Sequence, residues 1–165
     1  MQEQASSDIV SWFTGRLPDG WFTGPPEISA DQDEILVVGT LSDEGLADDA
    51  AREARITRFR EETREQRMKI TNEAERRFRR KVSWGAQAGP MRKLFTTLST
   101  PVMTRLRQPG RSVLDTLVAS GVARSRSEAL AWCVKLVAEH QADWLKDLKE
   151  ALAGVEKARA KGPQA

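Results

Sequence analysis

The stretch RSVLDTLVASGVARSRSEALAWCVKLV, Arg111 to Val137, decides the fold of the C-terminal part. Val113, Leu114, Leu117 and Val118 recur at i, i+1, i+4 and i+5, which puts them on one helical face. Gly121 ends that face, because glycine takes the positive φ of a helix C-terminus without steric cost. Ser125 opens a second helix. Ser125 and Glu128 form an S-x-x-E capping box, in which each side chain satisfies an orphan backbone N–H. Leu130, Val134 and Val137 carry the second apolar stripe, with Ala131 and Leu136 beside it. A helix start attracts phosphate through its free N–H groups and its dipole together. Arg124, Ser125, Arg126 and Ser127 crowd this start and are candidate phosphate-binding residues.

Upstream lies PVMTRLR, Pro101 to Arg107. It alternates Val102, Thr104 and Leu106 against Met103, Arg105 and Arg107, the period-2 pattern of a half-exposed strand. LDTLVASGVARSRSEALAWCV, Leu114 to Val134, resembles the ribbon-helix-helix family of DNA-binding proteins, with its leucine-rich first helix, glycine turn and S-R-S-E-A-L-like second helix. The resemblance covers residues 101–140. It implies an obligate homodimer in which one strand from each chain forms a ribbon in the major groove of double-stranded DNA. It further implies that Arg105 and Arg107 share a face and reach base edges. An arginine bidentate to guanine is the commonest specific contact. Gln108, Pro109 and Gly110 separate this strand from a helix expected at Arg111. The alternatives are a short helix in this segment interrupted at Pro109 and a plain helical hairpin packed on the rest of the protein.

Composition frames the rest. A chain of 165 residues, 39% hydrophobic and 30% charged, fits one soluble domain or two small ones. No apolar run approaches the length of a membrane helix. The N-terminus lacks a basic n-region followed by an apolar h-region, so no secretion signal is expected, and a bacterial-type cytoplasm is the expected compartment. The single cysteine, Cys133, excludes an intramolecular disulfide and reads as a packed core thiol. His140 is the only histidine, so no His/Cys metal cluster is expected. No phosphate-cradling glycine loop occurs, and no base lies in sequence reach of the serines near Arg126. The chain therefore reads as a non-enzyme without catalytic residue, metal or cofactor.

The net charge of +2 conceals an asymmetry. Residues 1–51 hold eleven Asp or Glu and one basic residue, Arg16. Residues 52–81 hold twelve Lys or Arg against six Glu, and residues 82–165 hold thirteen against seven acids. An acidic head on a basic body points to nucleic-acid contact. The alternatives are mutual neutralisation within the fold or a dimer, and competition of the head with nucleic acid for the basic surface.

The N-terminal part reads as α+β. Trp12-Phe13-Thr14-Gly15 recurs as Trp21-Phe22-Thr23-Gly24. The first copy ends a helix expected over Asp8–Thr14. The second starts a hairpin, and the aromatic pairs read as anchors of a small sheet or as an exposed docking surface. Pro26 to Leu41 reads as a hairpin around Asp31-Gln32-Asp33-Glu34, and Lys81–Ser99 as another around Ala88-Gly89-Pro90. Between them a single helix is expected over about 48–81, with a stripe of Ile56, Phe59, Thr63, Ile70, Ala74 and Phe78. Its pairs Glu65–Lys69, Glu73–Arg77 and Glu75–Arg79 stand at i,i+4. Its end, Arg76-Arg77-Phe78-Arg79-Arg80-Lys81, is either a phosphate-binding patch or a solvated helix C-terminus where cations suit the dipole.

The expected architecture is therefore a small antiparallel sheet of two hairpins with one long helix over 1–99. A ribbon-helix-helix-like helical unit follows over 100–160, its last helix running from Arg126 to Ala160, and 161–165 form a tail. Two functions follow. One is a dimeric DNA-binding regulator that uses Arg105, Arg107, Arg124 to Ser127, and Arg76, Arg77, Arg79, Arg80 and Lys81. The other is a protein–protein adaptor, ribosome- or polymerase-associated, which docks through the N-terminal domain or the long helices.

Overall fold

The computed structural model describes residues 2–161. They fall into two compact units, Gln2–Thr100 and a second that begins at Pro101. The fold class is α+β, with a four-stranded sheet and helices in the first unit and helices alone in the second. The expected tail, from 162 on, lies outside the described residues.

In the first unit, helix α1 spans Gln2–Arg16 and is longer than the 8–14 expected. Strands β1, Glu27–Ala30, and β2, Glu34–Leu41, form the first hairpin, with Ala30 opposite Ile35. Asp31 Oδ1 closes its turn by accepting from the N–H groups of Asp33 and Glu34 at 2.8 and 2.7 Å. This is an Asx-type turn. Helices α2, Asp49–Glu62, and α3, Arg64–Phe78, lead to the second hairpin, β3, Lys81–Ala88, and β4, Met91–Leu94. The sheet order is β1-β2-β3-β4. Each hairpin is antiparallel as expected, but the central pair is parallel, with Val37 opposite Trp84. The sheet is thus mixed, because a helical crossover returns the chain to the end of β2 from which it started.

The single helix expected over 48–81 is two helices, broken at Thr63. The Thr63 hydroxyl donates to the Phe59 carbonyl at 2.6 Å, the i−4 back-bond that bends helices. Arg67 braces the break. Its Nε donates to Thr63 Oγ1 at 3.0 Å and its Nη2 to the Arg60 carbonyl at 2.6 Å. The buried stripe is Ile56, Phe59, Arg67, Ile70, Thr71 and Ala74. The i,i+4 pairs expected on this helix give way to longer-range ones. Glu73 accepts two bonds from Arg16, and Glu75 pairs with Lys81.

Alternate residues of the central strands face the helices. Ile35 and Val37 with Val82 and Trp84 meet Ile9, Phe13, Ile70 and Ala74. Leu41, Ala86 and Ala88 meet Ile56 and Phe59. Full burial of one such large apolar side chain stabilises by about 1.5–3 kcal/mol. The two Trp-Phe-Thr-Gly copies anchor this layer. Phe13 stands edge-on to Trp84 at 6.1 Å, and Trp21 edge-on to Phe59 at 5.5 Å between ring centres. Thr23 N–H donates to the Thr40 carbonyl at 2.9 Å, which ties the second copy to the end of β2.

The second unit has helices α4, Gln108–Ala119, α5, Arg126–His140, and α6, Ala142–Ala160. Gln108, Pro109 and Gly110 do not separate a strand from α4; they are its first turn, with Arg107 as N-cap. Proline suits that turn, where its missing N–H is an orphan anyway. Gly121, at φ +79°, makes the turn out of α4. The shared core is Leu114, Ala123 and Ala129, with Leu106, Leu117, Val118, Leu130 and Cys133 packed on it. The expected α5 stripe is corrected here. Ala129, Leu130 and Cys133 face α4, whereas Val134 and Val137 are exposed. The helix expected over Arg126–Ala160 is interrupted at Gln141, whose φ −123°, ψ 28° lie outside the helical region.

Candidate nucleic-acid interface

The segment Pro101–Arg107 runs straight into α4 without regular secondary structure. The expected strand is not formed. A strand exists only with a neighbour to pair with, and no described residue of this unit supplies one. Val102 and Met103 are 85% and 93% exposed. Among the described residues, no backbone N–H from Val102 to Leu106 donates to a backbone carbonyl. Leu106 alone packs on the α4–α5 core, and Arg111 Nη1 donates to its carbonyl at 2.8 Å. The segment is thus anchored at its end and bare along its length.

Arg105 and Arg107 are exposed, and among the described residues neither forms an ion pair. They stand two apart, on the alternation opposite to the inward Leu106. Helix α4 starts beside them with no side-chain cap and no acid in its first turn. The positive end of its dipole and the two guanidinium groups therefore add at one place.

The start of α5 carries the expected Ser125 cap but differs in the return bond from Glu128 and in its arginines. Ser125 Oγ caps it by accepting from Glu128 N–H at 3.2 Å. The Glu128 carboxylate reaches past Ser125 to Arg124 N–H at 2.7 Å and takes two bonds from the Arg124 guanidinium, each 3.2 Å. Arg126 donates twice to Asp115, at 2.6 and 2.8 Å. These hydrogen bonds hold the Asp115 and Glu128 carboxyls below the ordinary carboxylate range. Arg124 and Arg126 are therefore engaged by carboxylates of the same unit, and Ser125 by the cap; only Ser127 is exposed without such a tie. The Arg124–Glu128 pair was legible as i,i+4. Asp115 joins Arg126 across the helical turn, so only folding brings them together. Arg111 was missed as well, since its role depends on where the Leu106 carbonyl lies.

On the first unit the basic run caps α3. Arg76, Arg77 and Arg79 are exposed and Arg80 is half-buried. Arg76 Nε donates to the Asn72 carbonyl at 3.1 Å, the Arg77 guanidinium lies 5.6 Å from the Phe78 ring centre, and Lys81 is paired with Glu75 at 3.0 Å. Arg79 takes φ +56°, a left-handed conformation unusual for a side chain larger than glycine. The run thus presents three arginines to solvent rather than five free cations.

Among the described residues, no three His, Cys, Asp or Glu side chains gather as metal ligands. Among them, no helix is long and apolar enough to cross a membrane.

Both units match known families. Residues 7–94 match the family described as "Rv1265-like protein, N-terminal domain". Residues 107–159 match the "Mb1296 C-terminal domain". The chain belongs to the Rv1265-like family. It is similar to "Uncharacterized protein Mb1296" of Mycobacterium bovis and to "Uncharacterized protein Rv1265" of Mycobacterium tuberculosis. Identity to each is 52%, over 98% of this chain and 73% of the relative. No solved structure matches the chain.

Proposed function

We propose that this protein is a dimeric DNA-binding regulator in which Pro101–Arg107 of two copies pair as a ribbon that enters the major groove. The observation that carries the reading is the bare segment itself. Among the described residues the N–H groups of Val102 to Leu106 have no backbone partner, Val102 and Met103 are almost wholly exposed, and the segment enters α4 without a loop. Pairing with a second copy satisfies those donors, and Arg105 and Arg107 then stand on one face, free to meet bases. Val134 and Val137, exposed on α5, supply apolar surface for the same dimer. Arg76, Arg77 and Arg79 add affinity without sequence preference, because each neutralised phosphate releases counterion.

The test is a fluorescence-anisotropy titration against duplex DNA from the gene's own upstream region, beside scrambled duplex and single-stranded RNA at two salt concentrations. Preference for the native duplex that survives the higher salt supports the regulator. Weak binding, equal for all three and erased by salt, overturns it.

A second reading, a protein–protein adaptor, is favoured by α6. Trp144, Leu148, Leu152 and Val155 recur at helical spacing along it and are all exposed. A partner retained by wild type and released by Leu148→Asp, with DNA binding weak, decides for this reading.

A further inference from the structure

One cation of the first unit is neither at the surface nor matched by an anion. Arg67 is 6% exposed. Buried charges are ordinarily paired, because desolvating a lone ion is costly. Yet among the described residues Arg67 has no carboxylate within ion-pair distance, and its two hydrogen bonds go to a hydroxyl and a carbonyl. Its guanidinium lies 4.9 Å from the Phe95 ring centre, a contact that favours the cation without neutralising it. Arg60 and Arg64 stand near it with the same sign, and burial followed by these two neighbours lowers its pKa to about 10. Of the five guanidinium N–H groups, those on Nη1 have no protein acceptor among the described residues, and Nη1 is not sealed from solvent.

Arg67 lines a groove of about 270 Å³ beside the edge of β3, bounded by α3 and the segment after β4. Met68, Val82, Trp84 and Leu98 supply its apolar lining, beside the hydroxyls of Thr71, Ser83, Thr96 and Thr97. Met68 and Leu98 are exposed at its rim, 46% and 38%. Thr71 Oγ1 is engaged by Trp84 Nε1 at 2.7 Å, so Trp84 is held firmly as part of the wall. At the far end Glu75 is occupied by Lys81 and by Val82 N–H. The groove therefore offers an apolar lining beside Arg67, a lining residue whose charge has no carboxylate partner among the described residues.

We propose that this groove binds a small amphipathic monocarboxylate, its carboxylate against Arg67 and its acyl or aryl body along Met68, Val82, Trp84 and Leu98. The site is separable from the DNA-binding reading, since the residues it would use, Arg67, Met68, Val82, Trp84 and Leu98, are not among those given to DNA, and Lys81 at its far end is held by Glu75. The carboxylate supplies the counter-charge that the fold withholds, accepting from the guanidinium N–H groups that Thr63 and Arg60 leave free. The body covers apolar surface that is otherwise wet.

Octanoate titrated into the full-length protein, followed by amide and indole N–H chemical shifts, tests this. Octanol carries the body without the charge and inorganic phosphate the charge without the body. Octanoate is expected to move the Trp84 indole and the amides of residues 67–71 and 96–98, with Kd on the order of 0.1–1 mM for so small a ligand. Octanol and phosphate are expected to leave them in place at the same concentrations. Arg67→Gln is expected to weaken octanoate at least about tenfold, which is ~1.4 kcal/mol. Because Arg67 also braces the helix break, Leu98→Trp, which fills the groove from its rim, is the second variant and is expected to do the same in a folded protein. Shifts confined to α5 and α6, equal shifts with phosphate or octanol, no shift at all, or unchanged affinity in folded Leu98→Trp each overturn the proposal.

Discussion

Arg126 and Asp115 join the two helices of the C-terminal hairpin through two hydrogen bonds, at 2.6 and 2.8 Å. An arginine that stands at a helix start, where a phosphate would be drawn, is instead spent on its own fold. The relationship separates two kinds of arginine in this unit. Arg124 and Arg126 shape the hairpin, and Arg105 and Arg107 remain available.

The first prediction follows from that division. Arg105→Ala and Arg107→Ala are expected to relax sequence preference, each by about 1–3 kcal/mol at one base step. Arg126→Ala is expected to lower the melting temperature and to affect all duplexes alike. Binding curves against a panel of single-base operator variants, with melting curves for each protein, separate the two effects. An unchanged preference in Arg105→Ala removes the ribbon assignment.

Acid should weaken the fold in a defined direction. Asp115 and Glu128 are held below their ordinary range by arginine, as are Glu27 by Arg92 and Glu73 by Arg16. Asp31 is held down by the N–H groups of Asp33 and Glu34. Through that window the folded state binds fewer protons than the unfolded chain, so stability rises with pH and is lost as pH falls through the lowered values. Urea midpoints are expected to drop between about pH 5 and pH 2. Asp115→Asn is expected to be less stable than wild type at neutral pH, with the difference closing as acid protonates the carboxyls.

Gly39 is a steric requirement of the aromatic layer. A Cβ there would overlap the Phe22 ring. Gly39→Ala is expected to destabilise by about 1–3 kcal/mol, as overpacking does. Phe22→Ala costs stability by itself but should remove most of the added penalty of Gly39→Ala. A double-mutant cycle by urea denaturation measures this coupling, and strict additivity would show that the ring does not sit on that glycine.

Arg79 carries a backbone cost. Glycine takes its φ of +56° freely, so Arg79→Gly is expected to raise stability by roughly 0.5–1 kcal/mol. If Arg79 also touches phosphate, the same change should lower DNA affinity uniformly across sequences and reduce the salt slope by about 1. A stabler protein with an unchanged slope would leave Arg79 out of the interface.

Much of the fold was legible because it is written in local chemistry. Asp31 and Gly89 mark the two hairpin turns, Ser125 caps α5 and Gly121 ends α4, each through the conformation its own side chain permits. Periodicity located the stripe Ile56–Phe59–Ile70–Ala74, because a helix repeats every few residues whatever it packs on. What stayed hidden depends on separations that a linear pattern does not encode. The parallel pairing of β2 with β3 comes from where the crossover returns the chain. The break at Thr63 comes from a hydroxyl that bonds backward, with Arg67 reaching seven residues back to brace it. Of the candidate interface, the sequence alone named the arginines, whereas the strand alternation expected to set Arg105 and Arg107 on one face is not formed in this segment. Only the tertiary structure decided which of its arginines are unpaired, because a salt bridge such as Arg126–Asp115 is formed by the angle at which two helices meet. The same holds for Arg67, whose burial without a carboxylate is a property of the packed sheet edge and of no residue beside it in the chain.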